Sequence, residues 1–243
     1  MDTSLIVLGV ALIIVLYFVF YYMTARDSLA DRLDLAQLQT PITADKLTKP
    51  GNGKYSYELW MYVYGPKSIT RDTYIFYRDD DASTLGAPRK TIGVKLLANE
   101  PTMELEYTQK ITNPAGSGTT NASEKVVITD NFPFQSWVHL IVSVENNFID
   151  IYMNGKLIKS VKNTKINSPS NSRPLEFGIS QTHLAKFTRV AYPTDPQTAW
   201  NHYLDGNGEN PFKKLTGDYN VALSFKDGDN ASSGYKLNII GKQ

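Results

Sequence analysis

Glu104 and Glu106 are the nearest this chain comes to a catalytic pair of carboxylates. Side chains two apart share one face of a strand, and two carboxyls held on one face can act as acid and nucleophile on a glycosidic bond. Standing alone in Met103–Thr108, they read as the solvated face of a strand. The three histidines, His139, His183 and His202, show no metal-ligand spacing such as H-E-x-x-H. There is no Gly-x-Ser-x-Gly nucleophile elbow. There is also no cysteine, which removes disulfides, zinc-thiolate sites and thiol nucleophiles together. Hard oxygen ligands for calcium could come from Asp79, Asp80 and Asp81, or more weakly from Asp227-Gly228-Asp229-Asn230. Both read first as solvated turns. Lys159, Lys162 and Lys165 make a small basic patch, the usual protection of an edge strand. A net charge of +1 argues against nucleic acid as a partner. The expectation is a protein with no catalytic residues and no cofactor beyond a possible calcium ion.

The elements that must carry these residues are strands. Phe132–Val161 reads as three antiparallel strands joined by two turns. Asn154-Gly155 suits a type I′ turn, which needs positive φ at both central residues. Asn146-Asn147 is a weaker turn of the same kind. With these turns, Val138, Leu140, Val142, Val144, Ile149, Ile151, Met153 and Ile158 gather on one face. The other face collects Trp137, His139, Ile141, Ser143, Asp150, Tyr152, Leu157 and Lys159, with Asp150 and Lys159 expected as a cross-strand ion pair. A slip of one residue would scatter the aliphatic set, so one face belongs in a core. The opposite, mixed face must be covered by the chain or by a partner.

Other segments alternate with period two: Tyr55–Tyr64, Thr73–Arg78, Thr91–Leu97, Met103–Thr108, Lys125–Thr129, Leu175–Ser180 and Ala185–Ala191. Polar loops separate them, Asp79–Pro88 and Asn113–Glu124 among them, as in a sandwich or barrel. Asp195 as N-cap and Pro196 in the first turn open a short helix near 195–205, stopped by Gly206. Its expected buried side is Ala199, Trp200, Tyr203 and Leu204.

Leu5–Met23 is an uncharged apolar run long enough to cross a bilayer as one transmembrane helix, at about 28 Å. Leu5, Leu12 and Leu16 lie within it, and Tyr21 and Tyr22 mark its interfacial end. With only four residues before the run, a retained anchor is expected rather than a signal peptide. Arg26 and Arg32 follow the run and no basic residue precedes it, which places the following domain on the cytosolic side. The expected organisation is a tail (1–4), the membrane helix (5–23), a helical stalk and linker (24–53), the sandwich (54–205), and an extension (206–243). In that extension two strand candidates, Asn220–Phe225 and Tyr235–Ile240, would complete the sandwich.

The order of segments resembles a known family. An aromatic strand (Tyr55–Tyr64), Trp137-Val138-His139 entering a strand, Tyr152-Met153-Asn154-Gly155-Lys156-Leu157, a Leu-x-Phe-Gly strand and a helix opening Asp195-Pro196 together resemble the laminin G-like branch of the concanavalin A-like jelly rolls. The resemblance covers about residues 54–205. It implies an all-β sandwich of two antiparallel sheets, with Trp137, His139, Tyr152, Asn154 and Gly155 as signature residues of the fold. Glycoside hydrolases of this family carry a Glu-x-Asp-x-x-Glu-like run, which is absent here.

A single membrane helix on a cysteine-free domain of this type is, in addition, similar to minor capsid proteins of large icosahedral DNA viruses. The implied function is non-enzymatic. It is a link between the outer capsid shell and the internal viral membrane, with the bilayer and other capsid or structural proteins as partners. The alternative is a lectin-like or adhesive domain with a sugar ligand.

Overall fold

The computed structural model describes residues 28–80, 89–112, 119–145, 147–162, 166–208, 222–224 and 236–238, together with Gly9, Leu12, Ile13, Val15 and Leu16. In chain order the strands are β1 (Ala30–Asp34), β2 (Tyr55–Val63), β3 (Thr73–Asp79), β4 (Lys90–Leu96), β5 (Met103–Thr112), β6 (Thr119–Thr129) and β7 (Trp137–Glu145). They continue with β8 (Phe148–Met153), β9 (Lys156–Lys162), β10 (Leu175–Glu176), β11 (Thr182–Val190), β12 (Ala222–Ser224) and β13 (Lys236–Asn238). One helix, Pro196–Leu204, follows β11.

A six-stranded sheet runs β1-β11-β2-β7-β8-β9, and a five-stranded sheet runs β10-β3-β4-β5-β6. All their pairings are antiparallel. The inner faces meet in one core. From β2 come Tyr55, Tyr57, Leu59, Met61 and Val63, and from β7 Val138, Leu140, Val142 and Val144. The other sheet supplies Ile75, Phe76, Ile92, Val94, Leu96, Met103 and Leu105. Burial of this alternating apolar set fixes strand register, because any one-residue shift would turn it to solvent.

The hairpin expected at Asn146-Asn147 has the anticipated register, Val144 opposite Ile149 and Leu140 opposite Met153. Asn154 and Gly155 both have positive φ, 51° and 75°, as a type I′ turn requires. Past that turn the register departs from expectation. Ile151 faces Lys159 and Asp150 faces Ser160, so β9 carries one extra residue between Leu157 and Lys159. A bulge of this kind moves the following side chains by one place. The expected Asp150–Lys159 pair is therefore replaced, and Lys159 Nζ donates to Val127 O at 2.8 Å. Ile158, expected in the core, is 37% exposed.

The stretch 24–53 was expected to be a helical stalk and linker, yet Ala30–Asp34 is a strand of the sandwich. Leu33 faces Leu184 and packs on the core beside the fully buried Leu35. Helical spacing of Leu29, Leu33 and Ala36 is overridden by pairing with the free edge of β11. The sandwich thus starts well before residue 54. β12 and β13 fall where two strands were expected, but they pair with each other in a separate two-stranded sheet instead of extending the sandwich. They belong to a second unit, Gly208–Gln243, distinct from Met1–Asn207.

No helix among the described residues is long and apolar enough to cross a membrane. Of the expected anchor, Leu12, Ile13, Val15 and Leu16 are described, and they are helical and 57–68% exposed. Leu5, Tyr21 and Tyr22 lie outside the described residues.

Leu140 is fully buried at the centre of the larger sheet. Leu140→Ala should lower unfolding free energy by ~2–5 kcal/mol. Urea titration of the sandwich checks this: the midpoint should fall while the slope with urea stays unchanged.

Candidate functional site

The signature residues meet on the outer face of the larger sheet, beneath the helix Pro196–Leu204. Asn154 Oδ1 accepts from His139 N at 3.0 Å and Asn154 N donates to His139 O at 2.9 Å, which ties the turn to β7. Gly155 is required there twice over. Its φ is positive, and a Cβ would stand 2.9 Å from Trp200 Cε3 and 3.0 Å from Tyr203 Cβ. The turn is therefore the seat of the helix. Asp195 caps the helix by accepting from Thr198 N at 3.0 Å. Hydrogen bonds to its own first turn lower the Asp195 carboxyl below the ordinary range. Tyr152 and Ser143 reach the segment just ahead, Tyr152 Oη donating to Thr194 O at 3.2 Å and Thr194 N donating to Ser143 Oγ at 2.8 Å. Burial, then the Asp150 and Asp195 charges, push the Tyr152 hydroxyl up to about 12.

The mixed face is thus covered by the chain itself over Ile141 and Tyr152, with Ala199 packed against them. Trp200 and Leu204 were expected to be buried, yet they are 39% and 64% exposed. Only the side of the helix nearest Gly155 and Trp60 reaches the sheet.

A carboxylate holds this arrangement together. Glu58 on β2 meets His139 Nε2 at 3.1 Å through one oxygen and His202 Nδ1 at 2.6 Å through the other. Burial pushes its carboxyl up, but hydrogen bonds and charge from both imidazoles outweigh that and hold it at about 2. Trp60 lies 4.9 Å from the His139 ring and stacks on Tyr203 at 5.6 Å. Sequence reasoning found His139 but missed Glu58 and Trp60. Both lie in a strand read only for its aromatic content. Glu58 and His202 also line a groove of about 1060 Å³ with Lys46, Lys49, Thr188 and Tyr192.

Glu104 and Glu106 stand on the outer face of the smaller sheet, and the expectation of a solvated face is corrected there. Glu106 is only 9% exposed, and it accepts from Tyr74 Oη at 2.6 Å and Ser123 Oγ at 2.8 Å. Glu104 pairs with Lys95 Nζ at 3.1 Å. Glu176, Tyr77, Gly93 and Glu106 share one cross-strand row. Tyr77 donates to Glu176 at 2.8 Å. Gly93 has no side chain because Tyr74 and Tyr77 lie over it: a Cβ would come within 2.9 Å of Tyr74 Cε1. Lys90 Nζ stands 3.9 Å from the centre of the Tyr77 ring and 2.6 Å from Asp79 Oδ1. Burial, then the neighbouring carboxylates, push both tyrosine hydroxyls up, so they remain donors. The face is a tyrosine platform edged by carboxylates and ammonium groups, a surface that can stack on a ring and bond to hydroxyls. Glu106 was legible in the sequence; Tyr74, Tyr77 and Lys90 become neighbours only through sheet register.

The calcium candidates separate. Asp79 is taken by Lys90, and Asp80 accepts from Asn121 Nδ2 at 2.9 Å and Asn167 Nδ2 at 3.3 Å. Asp81 and the Asp227–Asn230 turn lie outside the described residues. Among the described residues no three His, Asp or Glu side chains come together to hold a metal ion.

Two antiparallel sheets with a capping helix define a jelly-roll sandwich. A laminin G family model, described as the concanavalin A-like lectin/glucanases superfamily, matches residues 37–191, and the chain belongs to that superfamily. No curated protein sequence matches it. Among solved structures, the receptor-binding domain of botulinum neurotoxin mosaic serotype C/D is 12% identical. That match has a TM-score of 0.47 and covers 64% of this chain and 37% of that one. The binding domain of botulinum neurotoxin DC, solved in complex with rat synaptotagmin II, is 13% identical with a TM-score of 0.44, covering 64% and 36%. The botulinum neurotoxin serotype G binding domain is 12% identical with a TM-score of 0.42, covering 84% and 54%. The chain spans between about a third and a half of those chains. Likenesses this distant carry no functional information.

The Glu58 contact has a pH signature. A carboxyl lowered on folding contributes stability that is present above its unfolded value, near 4.5, and lost as pH falls toward about 2. The loss over that window should be on the order of 3 kcal/mol. Unfolding free energies of wild type and Glu58→Gln across this range check it. The variant should be less stable at pH 7, and its pH slope in the window should be shallower.

Proposed function

We propose that this chain is a membrane-anchored, non-enzymatic interaction protein whose sandwich recognises a partner and transforms no substrate. The observation that carries this reading is the state of its carboxylates. A glycosidase of this fold class needs one carboxyl that keeps its proton at working pH and a second held free as nucleophile or base. Here Glu58 is held ionised between two imidazoles, Glu106 is occupied by two hydroxyls, and Glu104 is paired with Lys95. The exposed apolar side chains of Leu12, Ile13, Val15 and Leu16, all helical, support residues 5–23 as the bilayer anchor.

In its most concrete form the protein is a minor capsid component. Residues 5–23 sit in the internal viral membrane, and the sandwich contacts the outer shell from the cytosolic or capsid side. Purified virions extracted with detergent test this. The chain should be found in the particle and leave the shell with the membrane fraction; its absence from particles would sink the reading.

The tyrosine platform favours a second reading, a carbohydrate ligand on the smaller sheet. Tyr74 and Tyr77 offer ring faces beside Glu106, Glu176 and Lys90. On a glycan array, wild type should bind at least one oligosaccharide class with calcium present or absent, and Tyr77→Ala should lower that signal at least tenfold. No binding by wild type in either condition would end this reading.

A further inference from the structure

Arg78 and Arg189 rise from opposite sheets and converge inside the sandwich. Arg78 is fully buried and Arg189 is 4% exposed. Arg78 donates to Pro50 O at 2.9 Å, Ser170 O at 2.6 Å and Arg173 O at 2.9 Å. Arg189 donates to Thr48 O, to Lys49 O at 3.3 Å and to the same Pro50 O at 3.4 Å. Two guanidiniums thus share one carbonyl oxygen. Among the described residues, every hydrogen bond that either makes ends on a main-chain carbonyl and neither has a carboxylate partner. Two guanidinium charges therefore stand together, Arg78 wholly buried and Arg189 at the wall of the groove beside Glu58.

Four polar atoms nearby are buried and have no hydrogen-bond partner among the described residues: Arg78 Nε, Arg189 Nε, Tyr55 Oη and Tyr57 Oη. They belong to one cluster. The Arg189 guanidinium lies 5.1 Å from the Tyr55 ring centre and 5.8 Å from that of Tyr57. Both guanidiniums act electrostatically on the Tyr55 hydroxyl. All four atoms can donate a hydrogen bond. What the cluster lacks is an acceptor carrying negative charge. Carbonyl dipoles offset part of the charge, and a water molecule would satisfy donors but leave the net charge uncompensated.

We propose that a small monovalent anion of halide size binds between Arg78 and Arg189, against the Tyr55 and Tyr57 hydroxyls, and joins the two sheets to the loops 48–50 and 170–173. The site is separate from the tyrosine platform, it shares Thr48, Lys49 and Arg189 with the wall of the groove beside Glu58, and it stands whether or not the proposed function does.

The test is the unfolding midpoint of the detergent-solubilised full chain in sodium bromide and in sodium gluconate at equal ionic strength. Gluconate is too large for the site, so general screening cancels. With bromide at about tenfold over its dissociation constant, the midpoint should rise by roughly 2–6 °C. Arg78→Met and Arg189→Met should each abolish the difference. Equal midpoints in the two salts would overturn the proposal, as would a bromide effect that survives both substitutions. If neither variant folds, crystals of the wild-type chain soaked in bromide decide. An anomalous peak within hydrogen-bond reach of both Nε atoms supports the site, and a water or nothing at that position refutes it.

Discussion

Glu58 holds together three parts of the chain that are far apart in sequence. It sits on β2, the strand between β11 and β7 in the larger sheet, and its two oxygens meet a histidine from β7 and a histidine from the capping helix. A buried carboxylate is costly unless its oxygens find donors, and here each oxygen finds one. His139 is fully enclosed as a result, and Trp60 and Tyr203 close over it. The helix is placed by this contact and by the absence of a side chain at Gly155. Without it, the outer face of β7 and β8 would expose Ile141 and Tyr152, which are now buried.

The two sheets have different roles as surfaces. The larger one carries the helix over Ile141 and Tyr152 and has a groove lined by residues of β1 and β11. The smaller one carries Tyr74, Tyr77, Glu106, Glu176 and Lys90 on its outer face, and these polar groups are organised among themselves. Tyr74, Tyr77, Glu106, Glu176 and Lys90 are held by one another, so the platform is rigid before any ligand arrives. Preorganisation of that kind suits recognition, because little ordering cost is left for the binding step.

Much of the fold was legible in the residues. Period-two alternation located nearly every strand of the sandwich, and Asn154-Gly155 located its central turn. Tyr152-Met153-Asn154-Gly155 with Trp137-Val138-His139 was enough to recognise the superfamily. The errors share one physical cause. Leu29, Leu33 and Ala36 have helical spacing, but an open strand edge at β11 pairs with four residues of Ala30–Asp34 in a ladder that a short local helix cannot match. The β9 bulge is equally invisible locally, since nothing in Leu157-Ile158-Lys159 demands an extra residue.

What the sequence determined by itself was therefore pattern: which residues alternate, where the chain must turn, where a helix can start, and that no thiol or metal-ligand motif is present. What only the tertiary structure decided was which side chains became neighbours. Glu58 and His202 are 144 residues apart, and Arg78 and Ser170 are 92 apart. Local propensity acts over a few residues, whereas these contacts depend on strand order and on the packing of one sheet against the other. A buried charge must find its partners wherever the fold places them, and that search leaves no short-range trace in the chain.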